Sequence, residues 1–187
     1  MPSPTIQEQF GQIDIYLFDQ ILKGRISPGM RILDAGCGGG RNLVYFLRQG
    51  YEVFGADLDS GAVDYVRALA RKLAPTLPPS NFRVEPVEHM SFDDGFADVV
   101  ISNTIFHFAT DDAHFQAMLQ GSWRVLKPGG LFFCRLGSTI GSGTHSRPPL
   151  PLARWRRPIS GRCGTARITH RKPGRRTRGP HQNHRRP

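Results

Sequence analysis

Leu33-Asp34-Ala35-Gly36-Cys37-Gly38-Gly39-Gly40-Arg41-Asn42 is the stretch of this 187-residue chain that decides its fold. It follows a short apolar strand predicted over 30–35 and opens a helix predicted over 42–49. Leu43, Phe46 and Leu47 would face inward from that helix, and Gly50 would stop it. The small residues between strand and helix let a ligand approach the backbone closely. Loops of this kind serve several ligand classes. A nucleoside-triphosphate loop needs Lys-Ser/Thr after its last glycine, and no such pair follows. A dinucleotide loop needs Gly-x-Gly-x-x-Gly, but the third glycine position, counted from Gly36 and Gly38, is Arg41. Asp34 narrows the choice further. Its carboxylate would repel a pyrophosphate and attract an ammonium group, directly or through water.

Outward from the loop, strands and helices alternate. A helix is predicted over 7–23 on the stripe Phe10, Ile13, Leu17 and Ile21. Further strands are predicted over 52–56 (ending at Asp57), 82–87, 97–102 and 131–136. Ser60 is expected to cap a helix with the stripe Val63, Val66, Ala70 and Leu73. Thr110 is expected to cap another with Phe115, Met118, Leu119, Ser122 and Leu126 inward. Lys127-Pro128-Gly129-Gly130 reads as a turn. This alternation implies an α/β, Rossmann-like doubly wound sheet of about five parallel strands with right-handed crossovers. Ligands bind beyond the carboxyl ends of such strands, here Asp34, Asp57, Val87, Ser102 and Leu136. An acid in the place of Asp57 can hydrogen-bond both hydroxyls of a ribose. Asp34 and Asp57 together suit a ribose and a cationic group with no phosphate. S-adenosylmethionine has those parts: adenosine, a sulfonium and an α-amino acid.

The sequence here resembles the class I S-adenosylmethionine-dependent methyltransferases of the methyltransferase-11-like group. The resemblance is carried by the glycine motif at 33–42, Gly55-Ala56-Asp57, Asp98-Val99-Val100-Ile101-Ser102-Asn103, and Val125-Leu126-Lys127-Pro128-Gly129-Gly130. It covers roughly residues 10–140 and implies S-adenosyl-L-methionine as cofactor and a small-molecule methyl acceptor. It also implies site residues. Asp34, Gly36 and Gly38 would bound the methionine moiety, with Cys37 and Asn42 among the other cofactor-binding residues. Asp57 would take the ribose, with Leu58 against the adenine, Val87 offering its backbone and Glu88 at the adenine edge. Asn103 would line the site beside the sulfonium, and His107 would stand near the transferring methyl group as a catalytic base. One position departs from the pattern: Pro86 stands where an acid often precedes the residue matched by Val87.

Composition divides the chain at residue 137. Residues 1–137 hold 12 Lys and Arg against all 15 Asp and Glu, whereas residues 138–187 hold 13 Lys and Arg and no acid. The net charge of +10 and the pI near 10.4 therefore describe a tail, not the predicted domain. Only five of those last fifty residues are Leu, Ile, Val or Phe, so residues 138–187 are expected to be disordered. The family's closing hairpin has no counterpart there. One reading of the tail is an Arg-rich arm for nucleic acid; the other is translation out of frame after about Ile140. Loss of pattern inside the fold, rather than after it, favours the second. Cys37, Cys134 and Cys163 lack metal or disulfide spacing, and no run approaches the ~20 apolar residues of a membrane span. Residues 1–10 lack a signal-peptide core, so a cytoplasmic location with no membrane or metal partner is expected. If the tail is a nucleic-acid arm, a fluorescence titration should show sequence-independent RNA binding that falls steeply with salt. Removing residues 138–187 should abolish that binding, because the remainder carries a net charge of −3.

Overall fold

The computed structural model describes residues 5–137, so the predicted tail and the division at 137 lie outside the described residues. Its strands are β1 (Arg31–Ala35), β2 (Glu52–Asp57), β3 (Phe82–Val84), β4 (Ala97–Asn103) and β5 (Leu126–Arg135). They form one sheet in the order β3-β2-β1-β4-β5, with every neighbouring pair parallel. The helices are α1 (Ile6–Phe10), α2 (Ile15–Leu22), α3 (Val44–Arg48), α4 (Ser60–Leu73) and α5 (Asp112–Arg124). This is the five-stranded Rossmann-like arrangement that the sequence alternation implies. None of these helices is long and apolar enough to cross a membrane.

Strand side chains alternate between two cores. Ile32, Val53, Val99 and Ile101 pack with Leu43, Phe46, Val63 and Val66 on one face. Leu33, Ala35, Phe54 and Val100 pack with Val87, Phe106 and Met118 on the other. Burial on both faces explains why the central strands read as nearly continuous apolar runs. Each fully buried large aliphatic or aromatic side chain in these cores contributes about 1.5–3 kcal/mol.

Five local expectations are corrected. The predicted helix over 7–23 is two helices. Gly11 turns the chain at φ +63°, and Asp14 begins α2 by accepting from the Tyr16 amide. Ile13, Leu17 and Ile21 pack on one core, while Phe10 of α1 packs on Phe18 and Tyr45. Asp59, not Ser60, caps α4, and Asp111, not Thr110, caps α5. In both cases a carboxylate one residue away takes the free helix amides. β3 ends at Val84 and a short 3-10 turn starts at Val87 after Pro86, which has no amide to continue the ladder. β5 is longer than expected. Ala97 pairs with Leu126 and Val99 with Leu131, so the 127–130 turn is an irregularity folded out within one strand.

α5 crosses the segment after β3 at very short range. A Cβ at Gly121 would lie 2.4 Å from the Val87 carbonyl oxygen and 2.9 Å from the Glu88 Cα. Both are backbone atoms and cannot swing aside. Gly121→Ala is therefore expected to lower stability by about 1–3 kcal/mol in chemical denaturation. Gly137→Ala, which meets nothing within 4 Å, should change it by less than about 0.5 kcal/mol.

Candidate active site

The alternation that builds the cores also gathers the polar residues. Asp34 lies on the same side of β1 as Ile32, Asp57 on the same side of β2 as Val53, and Asn103 on the same side of β4 as Ile101. Asp34 is in register with Gly55 and with Ile101. Three polar side chains thus meet at the carboxyl ends of three adjacent strands, on one face. A cleft of about 680 Å³ opens there.

Gly36, Cys37, Gly38, Asn42, Asp57 and Asn103, all expected from the sequence, line this cleft. The loop is fixed by amides of Gly36 and Cys37 donating to the Ala56 carbonyl at 2.8 and 3.0 Å. Gly36 has φ +82°, and a Cβ on it would sit 2.7 Å from Ile105 Cδ1. Gly38 has φ +47°, and a Cβ on it would meet nothing within 4 Å, which leaves its backbone open to a ligand. Asp57 ties the loop to β2. Its Oδ2 accepts from the Gly38 amide at 2.8 Å, and its Oδ1 from the Asp59 amide at 3.0 Å. Each of those oxygens keeps a second lone pair. Burial pushes the Cys37 thiol far up, so it is an inert packing group against Gly55.

Asp34 is buried behind the loop, 1% exposed, and neither carboxyl oxygen has a hydrogen-bond partner. Loss of hydration raises its pKa to about 8; Arg41 in the cleft wall opposes the shift and Asp57 adds to it. Such an orphaned carboxyl group fits a cationic group, which would restore both its charge and its hydrogen bonds.

Several lining residues were not singled out by the sequence. Gly11 and Gln12 reach the cleft from the break between α1 and α2, and Tyr65 and Leu69 from α4. Thr104, with φ +64°, is the one described non-glycine residue in the left-handed region. Its amide donates to the Arg135 carbonyl at 3.0 Å, and the next residue, Ile105, packs over Gly36. Phe108 completes the mouth and is 71% exposed. Gly11 and Asp14 carried a sequence signal, a glycine followed by a helix-capping acid; Thr104 carried none.

The remaining expected residues lie outside the cleft lining. Leu58 is exposed beyond Asp57, and Val87 is buried in the second core. Glu88 faces His114, whose Nε2 lies 3.3 Å from Glu88 Oε1 while its Nδ1 accepts from the Thr110 amide at 3.2 Å. His107 is exposed on the 3-10 turn Phe106–Phe108, beside Phe108.

Residues 33–134 match a family described as a methyltransferase domain. An uncharacterised methyltransferase of Synechocystis is 34% identical over 107 residues, covering 57% of this chain and 47% of that protein. A malonyl-[acyl-carrier protein] O-methyltransferase of Yersinia pestis is 30% identical over 121 residues, covering 65% of this chain and 40% of that protein. The chain thus spans about half or less of these curated relatives. Among solved structures, an S-adenosylmethionine-dependent methyltransferase of Methanosarcina mazei superposes with a TM-score of 0.53 at 27% identity, covering 61% of this chain and 55% of that one.

Asp34 also makes stability depend on pH. Its folded value of about 8 lies above the ordinary carboxylate range, so the folded protein holds this proton more tightly than the unfolded chain. At low pH both states are protonated and nothing is lost. As pH rises the unfolded chain ionises first and stability falls, until the loss is complete above the folded value. Thermal denaturation between about pH 5 and pH 8 should therefore show this decline in the wild type and a flatter profile in Asp34→Asn, which stays neutral.

Proposed function

Since the chain belongs to the methyltransferase-domain family, we propose that it binds S-adenosylmethionine in this cleft and directs its methyl group to a small-molecule acceptor. The observation that carries this reading is the orphaned carboxyl of Asp34, buried beside a glycine loop whose backbone is open. When bound, the cofactor supplies a methyl group already activated by its sulfonium. The protein's own work is then binding, orientation and exclusion of water.

Asp34 would hold the amino-acid ammonium and ionise as it does so. Gly36 and Gly38 would let the methionine moiety lie against the backbone. Asp57, with a free lone pair on each oxygen, would accept from the ribose hydroxyls. Arg41 in the cleft wall would face the cofactor's carboxylate. Val87 and Glu88, which follow the strand beside β2, belong to the adenine side in this reading, with Leu58. Phe108 and Ile105 would shut out water above the sulfonium. His107, one residue before Phe108, is assigned to the acceptor side, where it would take a proton from an O–H or N–H acceptor. The nucleic-acid alternative rests on residues 138–187 alone, because residues 1–137 carry a net charge of −3.

Calorimetric titration with S-adenosylmethionine tests the assignment. Asp34→Ala and Asp57→Ala are each expected to weaken binding about tenfold or more, the worth of a hydrogen bond to a charged group. Below about pH 8, binding to the wild type should release a proton from Asp34, visible as a dependence of the measured heat on the buffer's ionisation enthalpy. Undiminished binding in both variants would sink these roles, and preference for a dinucleotide would sink the cofactor.

A further inference from the structure

α2 is apolar on two faces, and a helix with one partner needs only one. Its inner face places Leu17 and Ile21 on the first core. Its outer face carries Ile15 and Leu22, 66% and 70% exposed. They stand seven positions apart, on one side of the helix, with Phe18 between them. Phe18 meets Phe10 of α1 edge-on, with 4.8 Å between ring centres. One turn before Phe10 stands Ile6, 79% exposed. These five side chains form one apolar band across both helices. Among the described residues, none covers the three aliphatic members. Asp19, the one acid in α2, is paired with Lys23, so no net charge opposes the band there. Single exposed apolar residues are ordinary, but a contiguous band marks an interaction surface.

The end of the sheet fixes where the basic segment leaves the domain. Arg135, the last residue of β5, pairs with Asp14, the residue that caps α2. Its guanidinium carbon lies 5.6 Å from the centre of the Tyr16 ring. Two residues later the described domain ends, and residues 138–187 carry 13 Lys and Arg with no acid. A strongly cationic segment therefore starts beside the first turn of α2, which also carries Ile15. Candidate partners differ in what they answer. A nucleic acid meets the charge but leaves Ile6, Ile15 and Leu22 in water. A second copy covers the aliphatic side chains but brings two segments of charge +13 together. An anionic lipid surface answers both.

We propose that the outer face of α1 and α2, with the basic segment beside it, docks on an anionic lipid surface. The two helices lie along the surface, with the apolar band at the boundary between headgroups and acyl chains. The Arg-rich segment meets the anionic headgroups, where each basic residue near the surface is worth about fivefold in affinity. This departs from the expectation of no membrane partner, which rests on the lack of a span; a face that lies on a surface needs none. Docking requires neither cofactor nor acceptor, so it stands or falls apart from the methyl-transfer reading.

The test is sedimentation of the full chain with vesicles of equal parts phosphatidylglycerol and phosphatidylcholine, against vesicles of phosphatidylcholine alone. The chain should pellet with the first and stay in solution with the second, and its binding should weaken steeply as salt is raised. Ile15→Gln combined with Leu22→Gln changes exposed positions and leaves the net charge as it is. This double variant should weaken binding to the mixed vesicles about tenfold or more. In a separate variant, Ile15→Trp, bromine-labelled lipid should quench tryptophan emission beyond what Trp123 and Trp155 show in the wild type. Vesicle binding that the double variant leaves unmoved, with no added quenching, belongs to the basic segment alone and overturns the role of the helices. Binding to RNA with none to the anionic vesicles assigns that segment to nucleic acid and overturns the proposal. So does a dimer that the double variant dissociates, because the face then belongs to a second copy.

Discussion

A carboxyl group taken out of water without a donor is expensive, and Asp34 is such a group at the centre of the sheet. It sits on β1, with β2 and β4 on either side, so hydration cannot reach it through the strands. The alternatives are to keep its proton or to receive a cation from the carboxyl end of the sheet. The loop that closes this end is shaped accordingly. Gly36 and Gly38 adopt backbone conformations that larger residues resist, and Cys37 is small enough to pack against Gly55. The glycines and the acid are one device. The backbone is open to a ligand only because side chains are missing, and in the proposed reading the acid behind them would select the ligand's charge.

Much of this device could be read without coordinates, for a definite reason. Side chains alternate along a strand, so an acid placed among apolar residues at a strand end has a known face. Asp34 and Asp57 were visible in this way, and the shared face of Asn103 follows from the same parity. What escaped was set by contacts distant in sequence. The stripe Phe10, Ile13, Leu17 and Ile21 keeps helical spacing across Gly11, although only the last three pack on the core and Phe10 turns to Phe18 and Tyr45. The break, which brings Gly11 and Gln12 into the cleft, is signalled by Gly11 and the helix-capping Asp14 but masked by that regular spacing. Glu88 looked free to meet adenine in sequence, yet α5 brings His114 to it from 26 positions away. The caps moved by one residue to Asp59 and Asp111 because a carboxylate and a neighbouring hydroxyl compete for the same amides, and spacing cannot rank them.

The two ends of the sheet treat the same residue type in opposite ways. Asp98, at the amino end of β4, accepts from the Arg31 amide at 2.8 Å and from Lys127 at 2.7 Å. Burial works to raise its pKa, but these partners outweigh it and hold the group below the usual range. Its charge is satisfied within the protein, and it joins the starts of β1, β4 and β5. Asp14, near the carboxyl end, is likewise paired and likewise lowered. Asp34, on the central strand, has no partner and is raised. Asp98 and Asp34 both fall within sequence motifs of the resemblance, and they differ in standing at opposite ends of their strands. The difference lies in donors supplied by other segments. Asp98 and Asp14, whose donors come from their own chain, tie strands and helices together, whereas Asp34, denied them, keeps its proton until about pH 8. That contrast in donors, and not in residue type, is what sets Asp34 apart from Asp98 and Asp14.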